Sequence, residues 1–203
     1  MQLHGRTAVI VIDVMKGEVD PENSGGIPIM GGGAERHDRV RRIVAAARGA
    51  GVPPIFIQEV HKRSLVDFGR ELDGSEGVHC LEGDPLTELA DGIGPEGDEY
   101  LIRKRRYSAF FATELELVLK SYGVQTLILL GALTDVCVHY TFADAHQHDY
   151  HCRVVTDCVG GSSLAAHEAS LNAMAYLQRD CLVTSEDVLA TLAELRPADA
   201  VVS

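Results

Sequence analysis

Six short apolar runs separated by stretches of helical periodicity predict an α/β domain: a doubly wound, six-stranded parallel sheet with helices on both faces. Three observations carry this expectation. The runs at 8–12, 55–57 and 127–130 are apolar at consecutive positions, as strands buried on both faces require. Helical spacing fills the intervals, most clearly at 34–50 and 164–177. No repeat or low-complexity segment breaks the alternation, and 203 residues can bury a sizeable core, so 1–203 is read as a single domain.

Taken in order, Ala8-Val-Ile-Val-Ile-Asp13 is a first strand that ends in a carboxylate. Ligands of an open parallel sheet bind beyond the carboxyl ends of its strands, so Asp13 stands either as a catalytic group or as a turn residue. A glycine- and proline-rich loop follows from 17 to 33, long enough to cover a site or meet another subunit. The helix over 34–50 presents Val40, Ile43, Val44 and Ala47 on one face, with Arg36, Arg39 and Arg42 largely opposite. Strand two, 55–57, runs out to Glu59 and His61, which are expected as substrate contacts at that strand end.

Residues 62–97 have no period and read as an excursion carrying specificity. His79 beside Cys80 reads as packing, because two ligands without a third do not make a metal site. A short strand at 99–102 leads into Arg103-Lys104-Arg105-Arg106, whose alternate side chains point oppositely, leaving Arg106 to share the side of Lys104. Ser108 opens a helix whose stripe is Leu115, Val118 and Leu119. Strand four ends at Gly131 and restarts as a helix near Cys137; strand five is 153–157, a helix covers 164–177, and strand six is 181–183. The last helix covers 185–195, with Ser185 as its N-cap.

Chemistry concentrates in Gly131-Ala-Leu-Thr-Asp-Val-Cys137. A strand that stops at a glycine and restarts as a helix leaves backbone N–H donors at the restart. A cysteine there is either a small buried hydrophobe or a nucleophile favoured as thiolate, with those donors ready for the oxyanion its attack creates.

Composition narrows the partners. A net charge of −12 argues against nucleic acid or an anionic membrane, and the absence of Trp removes the best stacking surface for bases. No signal-like segment precedes the first strand and no apolar run reaches spanning length, so a cytoplasmic location is expected. Five cysteines are an odd count with no Cys-x-x-Cys pair, and they read as thiols rather than as a disulfide or zinc framework. Dinucleotide, Walker and nucleophile-elbow fingerprints are all absent.

Three motifs together, Ala8-Val-Ile-Val-Ile-Asp13, Lys104-Arg-Arg-Tyr-Ser108-Ala-Phe110 and Gly131-Ala-Leu-Thr134-Asp-Val-Cys137-Val, resemble the isochorismatase-like cysteine hydrolases over nearly the whole chain. The resemblance implies an Asp13–Lys104–Cys137 triad and a cis peptide between Ala132 and Leu133. It also implies an oxyanion hole from the N–H groups of Leu133 and Cys137. It points to a homo-oligomer, a dimer or tetramer, acting on a small molecule without a cofactor. Phe110 and Tyr140 join Glu59 and His61 as expected substrate contacts.

Asp13-Val-Met-Lys departs from the Asp-Met-Gln-x-x-Phe frequent in that family, a difference that concerns the pocket and not the triad. Nicotinamidases share the triad but carry Asp-x-His for a metal, whereas this chain reads Gln58-Glu-Val-His61. No metal is therefore expected, and nicotinamide is disfavoured. Weak similarity at Glu59-Val-His61-Lys and Asp157-Cys158 points to the biuret and N-carbamoyl amidohydrolase branch. The expected reaction is hydrolysis of an amide, ureido or carbamoyl C–N bond through a thioester. The alternatives are vinyl-ether cleavage of isochorismate, or a non-catalytic binding protein on the same fold.

Overall fold

A computed structural model describes residues 1–20, 22 and 24–195. Its centre is a six-stranded, all-parallel sheet in the order β3-β2-β1-β4-β5-β6. The strands are β1 (Arg6–Ile12), β2 (Pro54–Glu59), β3 (Leu101–Lys104), β4 (Val124–Ala132), β5 (His151–Gly160) and β6 (Leu182–Val183). The helices are α1 (Gly33–Gly49), α2 (Leu115–Tyr122), α3 (His139–Gln147), α4 (Leu164–Leu177) and α5 (Ser185–Glu194).

Consecutive β1 side chains leave on opposite faces and feed two cores. Ala8, Ile10 and Ile12 pack with α2, α3 and Met174 of α4, while Val9 and Val11 pack with α1 and α5. The doubly wound expectation holds for this reason. On α1 the stripe Val40, Ile43, Val44 and Ala47 is fully buried, roughly 1.5–3 kcal/mol for each larger side chain. No described helix is long and apolar enough to cross a membrane.

Four local expectations change. Strand three is displaced toward its carboxyl end, so Lys104 closes the strand instead of following it, and it pairs in register with Glu59. The stretch after Ser108 is not helical until Leu115. Arg36 lies on the buried side of α1, where Glu18 accepts from its Nε at 3.4 Å. The cap of α5 is Thr184, in a reciprocal box with Asp187. Ser185 is instead buried, its N–H and hydroxyl both donating to Asp157 at 2.7 and 2.6 Å.

Candidate active site

Four neighbouring strands in the order β3-β2-β1-β4 deliver Lys104, Glu59, Asp13 and Cys137 to one edge of the sheet. Gly131, near the end of β4, makes the crossing close. Its φ is 119°, and a Cβ there would lie 1.9 Å from the Ile12 carbonyl oxygen, so only glycine fits. Asp13, just beyond β1, has a left-handed φ of 50°. Its N–H donates to the Ile57 carbonyl, and its Oδ1 accepts from the Glu59 N–H at 2.6 Å, which fixes the carboxylate against β2. Thr134–Val138 form one π-helical turn ahead of α3, with Cys137 in it, and the Ala132–Leu133 peptide is cis as expected.

Lys104 joins these parts. Its Nζ lies 2.9 Å from Asp13 Oδ2 and donates to Cys137 Sγ at 3.2 Å and to Glu59 Oε2. Asp13 Oδ2 is buried against that ammonium. Burial alone would lower the lysine, but Asp13, Cys137 and Glu59 together hold it well above its usual range. Burial pushes the Cys137 thiol well up despite the pull of Lys104, and burial also raises Asp13. Burial thus works against the thiolate that a helix start favours, and Lys104 works for it. For Glu59, burial acts upward but Lys104, His61 and His79 hold the carboxyl well below its usual range.

Above this floor lies an open cleft. Met15, Ile27, Ile29, Leu86 and Val136 give it apolar walls, and Leu133 and Cys137 reach its base. Gly17, Glu18, Ser24, Gly25, Ile27 and Ile29 of the glycine-rich loop do line the cleft. Glu18 is clamped between Arg36 and His37, and Gly26 accepts from the Gly77 N–H at 3.0 Å, which ties the loop to the 62–97 excursion.

Asp13, Lys104 and Cys137 come together as expected, with Glu59 added to them. The other expected substrate contacts do not line the cleft. His61 is fully buried behind Glu59 and stacks on Phe68 with ring centroids 4.0 Å apart. Phe110 packs on His148 and Tyr150. Tyr140 is half-exposed and stacks on Tyr107, and it is Tyr107 that faces the cleft. Arg106 does not reach the cleft lining; its Nη1 donates to the Asp67 carbonyl at 2.6 Å and lies 4.0 Å from Glu71 Oε1.

The expectation that no ligand set exists is also corrected. Glu59, His61, Glu71 and His79 are all buried, with one donor atom from each within 4.8 Å of the others. His61 Nε2 lies 3.3 Å from Glu59 Oε1 and 3.0 Å from Glu71 Oε2, and His79 Nε2 lies 3.1 Å from Glu59 Oε1. Donors around a tetrahedral ion at about 2.05 Å stand roughly 3.3 Å apart, so the spacing fits a divalent transition metal. His79 Nδ1 donates to the Gly77 carbonyl at 2.7 Å, the orienting bond that a ligating imidazole uses, and Glu71 is buried with Oε2 facing His61 Nε2. Sequence spacing hid this cluster because Glu71 and His79 come from the excursion, where no helix or strand period relates them to Glu59 and His61.

Comparison with known proteins places the fold in a family. A family model described as the isochorismatase domain matches residues 7–187. Maleamate amidohydrolase of Pseudomonas putida is 30% identical over 94% of this chain and 88% of its own length. A protein of Arabidopsis thaliana named as a probable inactive nicotinamidase is 33% identical over 81% of this chain and 86% of its own. Ureidoacrylate amidohydrolase RutB of Methylobacterium radiotolerans is 30% identical over 81% of this chain and 71% of its own. Among solved structures, an isochorismatase-like hydrolase of Alkaliphilus metalliredigens superposes with a TM-score of 0.78 at 26% identity, covering 92% of this chain and 99% of that one.

Proposed function

This chain belongs to the isochorismatase family, and from that premise we propose that it hydrolyses the C–N bond of a small amide, ureido or carbamoyl compound through a thioester on Cys137. The observation that carries the reading is Lys104 Nζ, 2.9 Å from Asp13 Oδ2 and 3.2 Å from Cys137 Sγ, directly beneath the cleft. Relatives that are amidohydrolases support the same bond class.

Asp13 takes the proton from Cys137 as sulfur attacks the carbonyl carbon, and Lys104 stabilises both anions in turn. The carbonyl oxygen gathers negative charge and is met by the N–H groups of Leu133 and Cys137. The C–N bond breaks, and Asp13 passes its proton to the departing nitrogen, which leaves as ammonia or an amine. Asp13 then takes a proton from water, whose oxygen attacks the thioester. The acid departs and the proton returns to sulfur. A divalent ion held by Glu59, His61, Glu71 and His79 would have its four positions filled by protein donors, and would act by tying Glu71 and His79 of the excursion to the end of β2. Every proton step above is carried by the chain's own side chains.

A screen of ammonia release over amides, ureas and carbamoyl amino acids tests this, run beside isochorismate at matched concentration. A turned-over amide should leave an acyl adduct on Cys137 that mass spectrometry detects after acid quench. Pyruvate release faster than ammonia release from any amide would overturn the reading in favour of vinyl-ether cleavage. No turnover of any compound would favour a binding protein.

A further inference from the structure

The cleft offers a substrate negative charge and apolar surface, and no side-chain ammonium or guanidinium. Asp13, Glu18, Glu59, Glu76 and Asp84 reach its lining, whereas Lys104 lies beneath it and no lysine or arginine among the described residues lines it. Four of these carboxylates are occupied. Asp13 and Glu59 hold Lys104, Glu18 holds Arg36 and His37, and Asp84 accepts from the Leu86 N–H at 2.9 Å.

Glu76 is engaged least. Its ion-pair contact is His79 Nε2 at 3.8 Å, and that nitrogen lies nearer to Glu59, at 3.1 Å. Tyr107 shares the cleft with it, and the Tyr107 hydroxyl is pushed up to about 12 by burial first and then by Glu76, Glu71 and Glu59. A divalent ion in the four-donor cluster would be balanced by Glu59 and Glu71 and would take up His79, leaving Glu76 without that ion-pair contact.

We propose that this cleft selects amides by charge, taking those whose apolar remainder ends in an ammonium or guanidinium group set against Glu76 and Tyr107, and turning away those that carry a carboxylate. The proposal rests on the amide-hydrolase reading above. A carboxylate entering here exchanges its hydration for a lining of carboxylates whose one imidazole, His79, is already held by Glu59 at 3.1 Å. A cation meets a carboxylate and an aromatic ring, both of which attract it. Relatives named for maleamate and ureidoacrylate take their names from amides that carry a carboxylate, the class this proposal turns away.

Three amides of one length isolate the charge: pentanamide, 5-aminopentanamide and glutaramate. We expect kcat/KM to fall in the order ammonium, methyl, carboxylate, with about tenfold or more between the two ends. In Glu76→Gln, the preference for 5-aminopentanamide over pentanamide should shrink severalfold. Calorimetric binding of the same three compounds to Cys137→Ala protein separates this proposal from the hydrolase reading. Absence of turnover with the binding order intact would sink the hydrolase reading and keep the charge preference. Equal or better use or binding of glutaramate, an unchanged ratio in Glu76→Gln, or no binding of any of the three overturns the proposal.

Discussion

The floor of the cleft and its wall are built by different means. Lys104, Glu59 and Asp13 stand at the ends of adjacent strands and Cys137 in the helical turn that follows β4, and Lys104 contacts the other three. Glu76, His79, Ile27 and Leu86 come from two long loops joined by contacts such as Gly77 to Gly26. Strands about 4.8 Å apart place reacting groups to within a fraction of an ångström, and loops vary freely around them. The lesson is a division of labour: the sheet holds the reaction, and the excursions decide what reaches it.

The largest effect expected from breaking the floor is at the nucleophile. Cys137→Ala should lower amide hydrolysis by at least ~10³-fold with the fold intact, because a covalent route is removed and little volume is lost. Cys80, Cys152, Cys158 and Cys181 are also buried, but replacing any of them with alanine should keep turnover within about tenfold, through packing alone. Comparable rates in Cys137→Ala and the wild type would remove sulfur from the mechanism.

Next comes the stability of floor against wall. Lys104→Met strands Asp13 and Glu59 as buried carboxylates without their cation, and should cost about 3–5 kcal/mol in urea unfolding as well as the activity. Glu76→Gln, at a loop position with no hydrogen-bonded cation, should change stability by no more than about 0.5 kcal/mol. Equal losses from the two substitutions would mean that wall and floor are one structural unit.

The smallest effect tests where floor and wall meet, at Glu59, His61, Glu71 and His79. Chelator-stripped protein should bind one equivalent of zinc, and His61→Gln should prevent it. Without metal, burial pulls His61 down but Glu59 and Glu71 raise it from 6.5 to about 9. A raised imidazole contributes stability in full below 6.5, and that contribution is lost as pH rises through about 9. The melting temperature of stripped wild type should therefore decline over that window more than that of His61→Gln. Zinc, which needs the neutral ring, should flatten the decline. Failure to bind stoichiometric zinc would leave the four residues as a proton-linked ion cluster only.

The chain by itself determined whatever follows a local period. Runs such as 8–12 and 127–130, apolar on consecutive positions, specify strands buried on both faces. Their termini at Asp13 and Gly131, with Lys104 and Cys137 at matching places, mark the reacting edge. Tertiary structure alone decided the rest. Strand three shifts to place Lys104 opposite Glu59 because pairing with β2 sets its register. Arg36 is buried because Glu18 arrives from a loop, a partner that helical periodicity cannot foresee. Glu71 and His79 join Glu59 and His61, and Glu76 and Tyr107 join the cleft, through contacts between aperiodic segments. A period encodes which way a residue points within its own element; what an aperiodic loop meets is settled only when the whole chain has packed.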